Sequence, residues 1–513
     1  FYCTMHGAHV APSTGKAGRS LPFSLAVRAN FIAPFTVAGY NDACMAIEDF
    51  FHEIREFLKE DQVIIDRGSL SRFSYDATER HSLPQAAVLP ENTAQVSQIL
   101  QCCSRHNVAI TPQGGKTGLS GGAVPVGGGI VLSFSRMNRI LEIDEANMFA
   151  VVEPGVISND LQKALNERGL FFPPDPSSTV DSTLGGNVAE NAGYTRAVKY
   201  GVTRDYVRGI EAVLPSGDII TLGGKTLKNV AGYDLISLIT GSEGTLAIIT
   251  KITLRILTKP HVRRTIVAYL DDLISAASLI VAVFKSGIMP CAVELMDTIA
   301  INTVADHLSI PLNRDSAAMV LIEMDGHNEN GVNEEAREIY SLCKNSPGTF
   351  DVHLAADNAE ADRFWLSRRE VLPSLKALGK DHLEADVAVP RYKLPFLVRF
   401  VQGLEHSDAL RIATYGHAGD GNLHVTILYR RRNFAELDEA YHLLEKIYRK
   451  TIDMGGSLTG EHGVGLTVMD YLPMQLTGET LPLMKRIKDA FDPKGLLNPG
   501  KIFKESDGMK KEI

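Results

Sequence analysis

Cysteine is scarce and scattered. Six stand in 513 residues, at Cys3, Cys44, Cys102, Cys103, Cys291 and Cys343, with no C-x-x-C pair and none of the closely spaced runs that hold iron–sulfur clusters. They read as thiols in a reducing compartment, and any electrons this chain handles pass onward without a cluster of its own. Long apolar runs are missing as well. No stretch approaches the roughly 18 uninterrupted apolar residues of a membrane-spanning helix, which leaves only peripheral association with a membrane open. Positive charge is in deficit: 52 Lys and Arg against 61 Asp and Glu give a net charge of −9, which argues against nucleic acid as a partner. Acids are absent before Asp42, while Lys16, Arg19 and Arg28 sit among many Ser, Thr and Ala. That composition resembles an organelle transit peptide; an extraneous, unordered extension over 1–44 is the equal alternative. A cytoplasmic protein, at most peripheral at the inner membrane, is expected, with a mitochondrial or other organelle location left open.

What is present is ordinary for a globular enzyme: 44% apolar and 22% charged residues, over a length that calls for two or three structural units. Ile47, Phe50, Phe51, Ile54, Phe57 and Leu58 share one helical face, so a domain starts near Met45. From Ala86 to about Pro260, strands (GIVLSF, FAVVEPG, GIEAVLPSG, TLAIITKITLRIL) alternate with glycine turns and a helix at Ala94–His106, an α+β layout. A second region from His261 alternates TIVAYL and AAMVLIEMDG with helices at Asp272–Ser286 and Asn333–Cys343. It continues through helical Ala359–Leu378, strand-like VAVP, a helix ending near Gly403, and a long helix at Phe434–Met454.

The segment PQGGKTGLSGGAVP, Pro112–Pro125, packs five glycines into fourteen residues directly after a strand. Glycines let backbone N–H groups approach a phosphate. A nucleotide P-loop is excluded, because that motif needs glycine at 110 or 219 and Ile110 and Ile219 stand there. Glycine clusters also make plain turns, so this loop alone assigns nothing.

Its companions are PPDPSSTVDSTLGGNVAENAG (Pro173–Gly193), then VKYGVTRDYVRGIEAVLPSG, then KNVAGYDLISLITGSEGTLAIITKITLRI, and at the far end AFDPKGLLNPGKIF (Ala490–Phe503). In this order they resemble the FAD-binding domain of the vanillyl-alcohol-oxidase (PCMH) type of flavoproteins. The resemblance implies an FAD domain over 45–260, an α+β substrate or cap domain over 261–485, and a segment, 486–513, that returns to the flavin. It further implies that Gly114, Gly115, Lys116, Thr117, Gly118 and Leu119 cradle the FAD pyrophosphate. Pro174, Ser178, Thr179, Gly185, Gly186, Asn187 and Gly193 would line the flavin, Ile248 the adenosine, and Asn498 would reach back from the C-terminal end. Pro112–Pro125 holds no His or Cys, so noncovalent FAD is expected. Tyr194 departs from the glycine that such relatives commonly carry after NAG.

A second constellation, GHAGDGNLHV with GEHGVG, supplies His417, His424, Glu461 and His462. Two imidazoles and a carboxylate suit Zn²⁺, Fe²⁺ or Mn²⁺ with positions left open. Adjacent Glu461 and His462 do not both face one ion from an extended chain, which suggests His417, His424 and Glu461 as ligands and His462 as a free base. Asp420 reads as a turn former. A lone histidine is usually a satisfied core or surface residue; four such groups in two glycine-flanked motifs are not.

These motifs resemble the C-terminal substrate domain of the D-lactate, glycolate and D-2-hydroxyglutarate dehydrogenase group, and KTLKNVAGYDL is closest to flavin subunits of glycolate oxidases. The resemblance implies oxidation of a 2-hydroxy acid, with Arg368 of FWLSRREVLP holding the substrate carboxylate and Arg369 as its near alternative. Glu384 stands where the 2-hydroxyglutarate enzymes carry a lysine, and Thr426 where they carry an asparagine. Both changes favour a monocarboxylate, glycolate or D-lactate, with Thr426 expected at the substrate. D-2-hydroxyglutarate oxidation, a metal-free flavin oxidase using oxygen, and a non-catalytic flavin-binding subunit are the alternatives. The electron acceptor would be a quinone, an electron-transfer flavoprotein, a cytochrome or an iron–sulfur partner subunit.

Overall fold

The structure, a computed structural model, describes residues 47–430 and 432–504. The expectations for 1–44 and for Met45 lie outside the described residues. Helical residues 47–54 bury Phe50 and Ile54 completely against the first core, in keeping with their shared face. The first sheet holds β1 (Val63–Ile64), β2 (Ala86–Val88), β3 (Ile110–Gln113) and β4 (Ile130–Ser133) in the order β1-β2-β4-β3. β2 and β3 both run parallel to β4, joined through the helix Thr93–His106, whose N-cap Asn92 accepts from the amide of Gln95. The three strands β2, β3 and β4 are short and almost wholly buried, which suits a sheet covered on both faces.

A five-stranded sheet follows, with β5 (Ile140–Asp144), β6 (Phe149–Val152), β8 (Val207–Val213), β9 (Ile219–Gly223) and β10 (Ile248–Arg255) in the order β5-β6-β10-β8-β9. β7 (Leu170–Phe171) and β11 (Leu257–Thr258) form a separate pair. The C-terminal segment lies beside β3: the Ile110 amide donates to Leu496 O, and the Asn498 backbone amide donates to Ile110 O, extending the first sheet there.

The third sheet carries the site. It comprises β12 (Val262–Leu270), β13 (Ala292–Asp297), β14 (Ala318–Gly326), β15 (Thr349–Leu354), β16 (Asp381–Ala388), β17 (Arg411–Gly416) and β18 (Asn422–Tyr429), ordered β15-β12-β14-β13-β17-β18-β16. Side chains alternate between its faces. Val293, Leu295, Ala385, Val387, Leu423, Val425 and Ile427 point into a core with the helices Leu273–Lys285, Glu329–Lys344, Leu394–Gln402 and Phe434–Asp453. The alternate positions, among them Glu294, Glu384, Asp386, His424 and Thr426, therefore share the opposite face. There the helices Thr298–Leu308, Asn358–Arg369 and Val371–Ala377 pack around Met296, Tyr415 and Leu428. One pleat thus gathers the polar residues of three strands on the side that meets the glycine loops.

Candidate active site

A cavity of about 1020 Å³ lies between the glycine loops and this sheet face. Its walls include Gly114 to Leu119, Ser178, Thr179, Gly185, Gly186, Asn187, Gly193 and Ile248 on one side, and Arg368, Arg369, Glu384, Tyr415, His417, His424, Glu461 and His462 on the other. Pro174 and Asn498 are not part of the wall. Pro174 is buried, and the Asn498 amide is spent on the carbonyls of Gly122 and Glu243, both at 2.8 Å. Asn498 pins two loops together from behind rather than reaching the cavity.

The loop backbone approaches its neighbours closely. A Cβ on Gly114 would come within 2.1 Å of Thr183 Oγ1, and one on Gly115 within 2.1 Å of the Asp181 carbonyl. Lys116 takes a left-handed φ of 60°, and its ammonium turns to the Arg72 carbonyl and over the Tyr75 ring at 4.7 Å. Tyr194 is 2% exposed, lines the cavity, and its hydroxyl has no partner. An orphaned buried hydroxyl beside a glycine cradle fits a polar group bound in the cavity.

At the far wall, three imidazoles converge on one carboxylate oxygen. Glu461 Oε1 lies 3.1 Å from His417 Nε2, 3.4 Å from His424 Nε2 and 3.9 Å from His462 Nε2. Two ligands of one tetrahedral ion with bonds near 2.0–2.1 Å stand about 3.3 Å apart, so the first two spacings fit a shared divalent ion. The His424 and His462 rings stack at 5.2 Å. Glu461 and His462 both face this centre, contrary to the extended-chain expectation, because residues 460–462 are bent. Asp386 bends them: its Oδ2 accepts from the Thr459 hydroxyl and from the amides of Gly460, Glu461 and His462 at 2.8–2.9 Å. Its Oδ1 accepts from the Asn422 amide. Asp386 is close enough to join the His424, Glu461 and His462 group as a ligand, but with both oxygens engaged it acts as the loop's anchor.

The electrostatics follow from burial against carboxylates. Burial alone would depress His417, yet Glu294 and Glu461 lift it to about 10. Burial holds His424 below its ordinary value, against the pull of Glu384 and Glu461. His462 is also buried, and Asp386, Glu384 and Glu461 together raise it. Burial works against the Glu384 carboxylate, but His424 and His462 hold it down at about 2.

Arg368 is 4% exposed, not a surface residue, and donates Nε to Glu294 Oε2 at 2.6 Å. Its Nη2 is buried without a partner and the guanidinium sits 5.2 Å from the Tyr415 ring centre. Thr426 does not reach the cavity: it is fully buried, faces Glu384 across the β16–β18 ladder, and donates to Glu384 Oε2 at 2.7 Å. Tyr415 donates to the same oxygen at 2.8 Å. The two residues read as independent departures are one cross-strand pair. Glu294 and Asp386 were not singled out from the sequence. The available signal for Glu294 was an acid inside the apolar run CAVELM; for Asp386, in a strand that also carries Asp381, His382 and Glu384, there was none.

Residues 84–223 match the FAD binding domain family and 259–502 the C-terminal domain of FAD linked oxidases. The chain is 43% identical to glycolate oxidase subunit GlcD of Bacillus subtilis, covering 84% of this chain and 92% of that one. It is 35% identical to the D-lactate dehydrogenase of Anaerostipes hadrus (82% and 91%) and 31% identical to the D-2-hydroxyglutarate dehydrogenase of Stutzerimonas stutzeri (88% and 98%). In fold it matches 4-ethylphenol oxidase from Gulosibacter chungangensis with a TM-score of 0.73 at 18% identity, over 90% of this chain and 98% of that one.

Proposed function

The chain belongs to the family of FAD-linked 2-hydroxy-acid oxidases and dehydrogenases, and from that premise we propose that it oxidises a small 2-hydroxy monocarboxylate, glycolate or D-lactate, to the 2-oxo acid. The observation that carries this reading is the convergence of His417, His424 and His462 on Glu461 Oε1 in the wall of the cavity that the glycine loops line. Noncovalent FAD, held along Gly114–Leu119 and Ser178–Gly193, supplies a hydride acceptor when bound. A divalent ion on His417, His424 and Glu461 supplies Lewis acidity that lowers the pKa of a substrate hydroxyl.

The chain's own residues supply the rest. Arg368 lines the cavity and keeps one guanidinium nitrogen, the buried Nη2, without a partner; its planar guanidinium is suited to a substrate carboxylate. His462 Nε2 takes the hydroxyl proton, with Glu384 Oε1 lying 3.6 Å from its Nδ1 to stabilise the imidazolium that forms. The fixed anion of Glu384, doubly hydrogen-bonded by Tyr415 and Thr426, repels a second substrate carboxylate and so favours monocarboxylates over 2-hydroxyglutarate.

Electrons leave to an external acceptor, an iron–sulfur partner subunit among them. The four described cysteines are buried and free, and no helix among the described residues is long and apolar enough to cross a membrane. Peripheral association at the inner membrane through that acceptor belongs to the same proposal. The test is anaerobic bleaching of the flavin with a panel of acids. Glycolate or D-lactate should bleach it at least about tenfold faster than D-2-hydroxyglutarate or D-malate, and a preference for the dicarboxylates would overturn the reading of Glu384.

A further inference from the structure

Glu294 lies on β13, the middle strand of the seven-stranded sheet, and is 1% exposed. Its Oε1 is 2.7 Å from His417 Nδ1 and its Oε2 is 2.6 Å from Arg368 Nε. One carboxylate therefore touches both a proposed metal ligand and the proposed substrate arginine. Each contact has a directional consequence. A carboxylate accepting from Nδ1–H fixes the imidazole tautomer and turns the lone pair of Nε2 outward, and His417 Nε2 is the atom that faces Glu461 Oε1 at 3.1 Å. A carboxylate on Nε occupies the side edge of the guanidinium, leaving its end nitrogens free. Arg368 Nη2 is buried and unpartnered, and Arg368 is among the residues that line the cavity.

Fold stability gives no reason for this arrangement. The neighbours of Glu294 on β13, Ala292, Val293, Leu295 and Met296, are apolar and at most 1% exposed. Replacing a buried ion pair by apolar residues of like volume is often neutral or stabilising. A charge kept here has to be explained by what it orients.

We infer that Glu294 is a positioning residue that ties the metal-ligand histidine to the carboxylate-binding arginine, so that ion and substrate carboxylate are held at one fixed separation. The inference rests on the roles proposed above for His417 and Arg368. It assigns Glu294 no contact with substrate. His417 receives its orientation from the face of β13, and Arg368 receives the same from the end of the helix Asn358–Arg369, through the two oxygens of a single group.

The test uses full-length, FAD-loaded protein stripped of metal and titrated with Zn²⁺ or Mn²⁺, alongside KM and kcat for glycolate and D-lactate. A glutamine side chain has one carbonyl oxygen for two donors, so Glu294→Gln should weaken metal binding by about 10- to 100-fold. It should also raise KM at least about tenfold through the loosened arginine, with FAD retained. In an Arg368→Met background the second donor is gone. There the single amide oxygen can serve His417 alone, so Glu294→Gln should keep metal affinity within about threefold of Arg368→Met, while Glu294→Ala should lose the same 10- to 100-fold. This second comparison decides the matter if Glu294→Gln does not fold alone. A folded Glu294→Gln protein with wild-type metal affinity and KM overturns the inference, as does equal metal affinity for Glu294→Gln and Glu294→Ala in the Arg368→Met background. Wild-type protein that binds no stoichiometric ion would instead overturn the metal site itself.

Discussion

Gly193→Ala probes the seam between the glycine loops and the metal cluster. Gly193 has no left-handed φ that would forbid a side chain, so the consequence is one of space. A Cβ there would lie 2.5 Å from Glu461 Oε2 and 2.8 Å from Glu461 Cβ. Ordinary contact begins at 3.4 Å, so the carboxylate must retreat by about 0.9 Å, and because Cβ is also struck, rotation of the side chain alone does not relieve it. The four donors of Asp386 hold the Glu461 backbone in place, which leaves little room to yield. Metal sites tolerate about 0.2 Å in ligand distance, and a misplacement near 1 Å costs roughly 10²-fold in rate, or about 2.7 kcal/mol of barrier. The expected variant stays yellow, binds Zn²⁺ or Mn²⁺ about 10- to 100-fold more weakly, and reduces its flavin about 10²-fold more slowly under anaerobic conditions. Stopped-flow bleaching with metal analysis on the same sample reads both. Wild-type bleaching with full metal content would refute the claim that Glu461 is held at the centre of the site.

His462→Gln removes the base while leaving the proposed ligands, so flavin reduction should slow by about 10²- to 10⁴-fold with metal content unchanged; a loss below about threefold would remove His462 from that role. Glu384→Gln removes the fixed anion, and the ratio of kcat/KM for D-2-hydroxyglutarate over glycolate should rise about tenfold; an unchanged ratio would separate Glu384 from specificity. Metal affinity should climb with pH. Metal-free His417 titrates at about 10, so below that value an entering ion must displace its proton, and affinity should rise about tenfold per pH unit, continuing above pH 7. A plateau from pH 7, where a histidine of ordinary pKa is already neutral, would contradict the raised value.

The glycine loops and the His-Glu-His set were legible because each is local: a few adjacent residues whose types have few other uses. What the sequence concealed is long-range. Glu384 and Thr426 are paired only by the register of β16 on β18, and nothing within either segment announces it. Glu294 sits in a strand buried throughout on both faces, so the alternation that marks a half-exposed strand is absent. β13 is concealed for that reason, and Glu294 with it. The assumption that Glu461 and His462 diverge failed at the same level, since an extended backbone was presumed where a distant aspartate gathers three successive amides.

The most direct test of the account is the anaerobic rate of flavin reduction by glycolate or D-lactate, measured on one preparation before metal removal by a chelator, after it, and after Zn²⁺ or Mn²⁺ is restored. The account predicts a fall of at least about 10²-fold on removal, with the FAD spectrum intact, and recovery when the ion returns. An unchanged rate in the metal-free protein would contradict it.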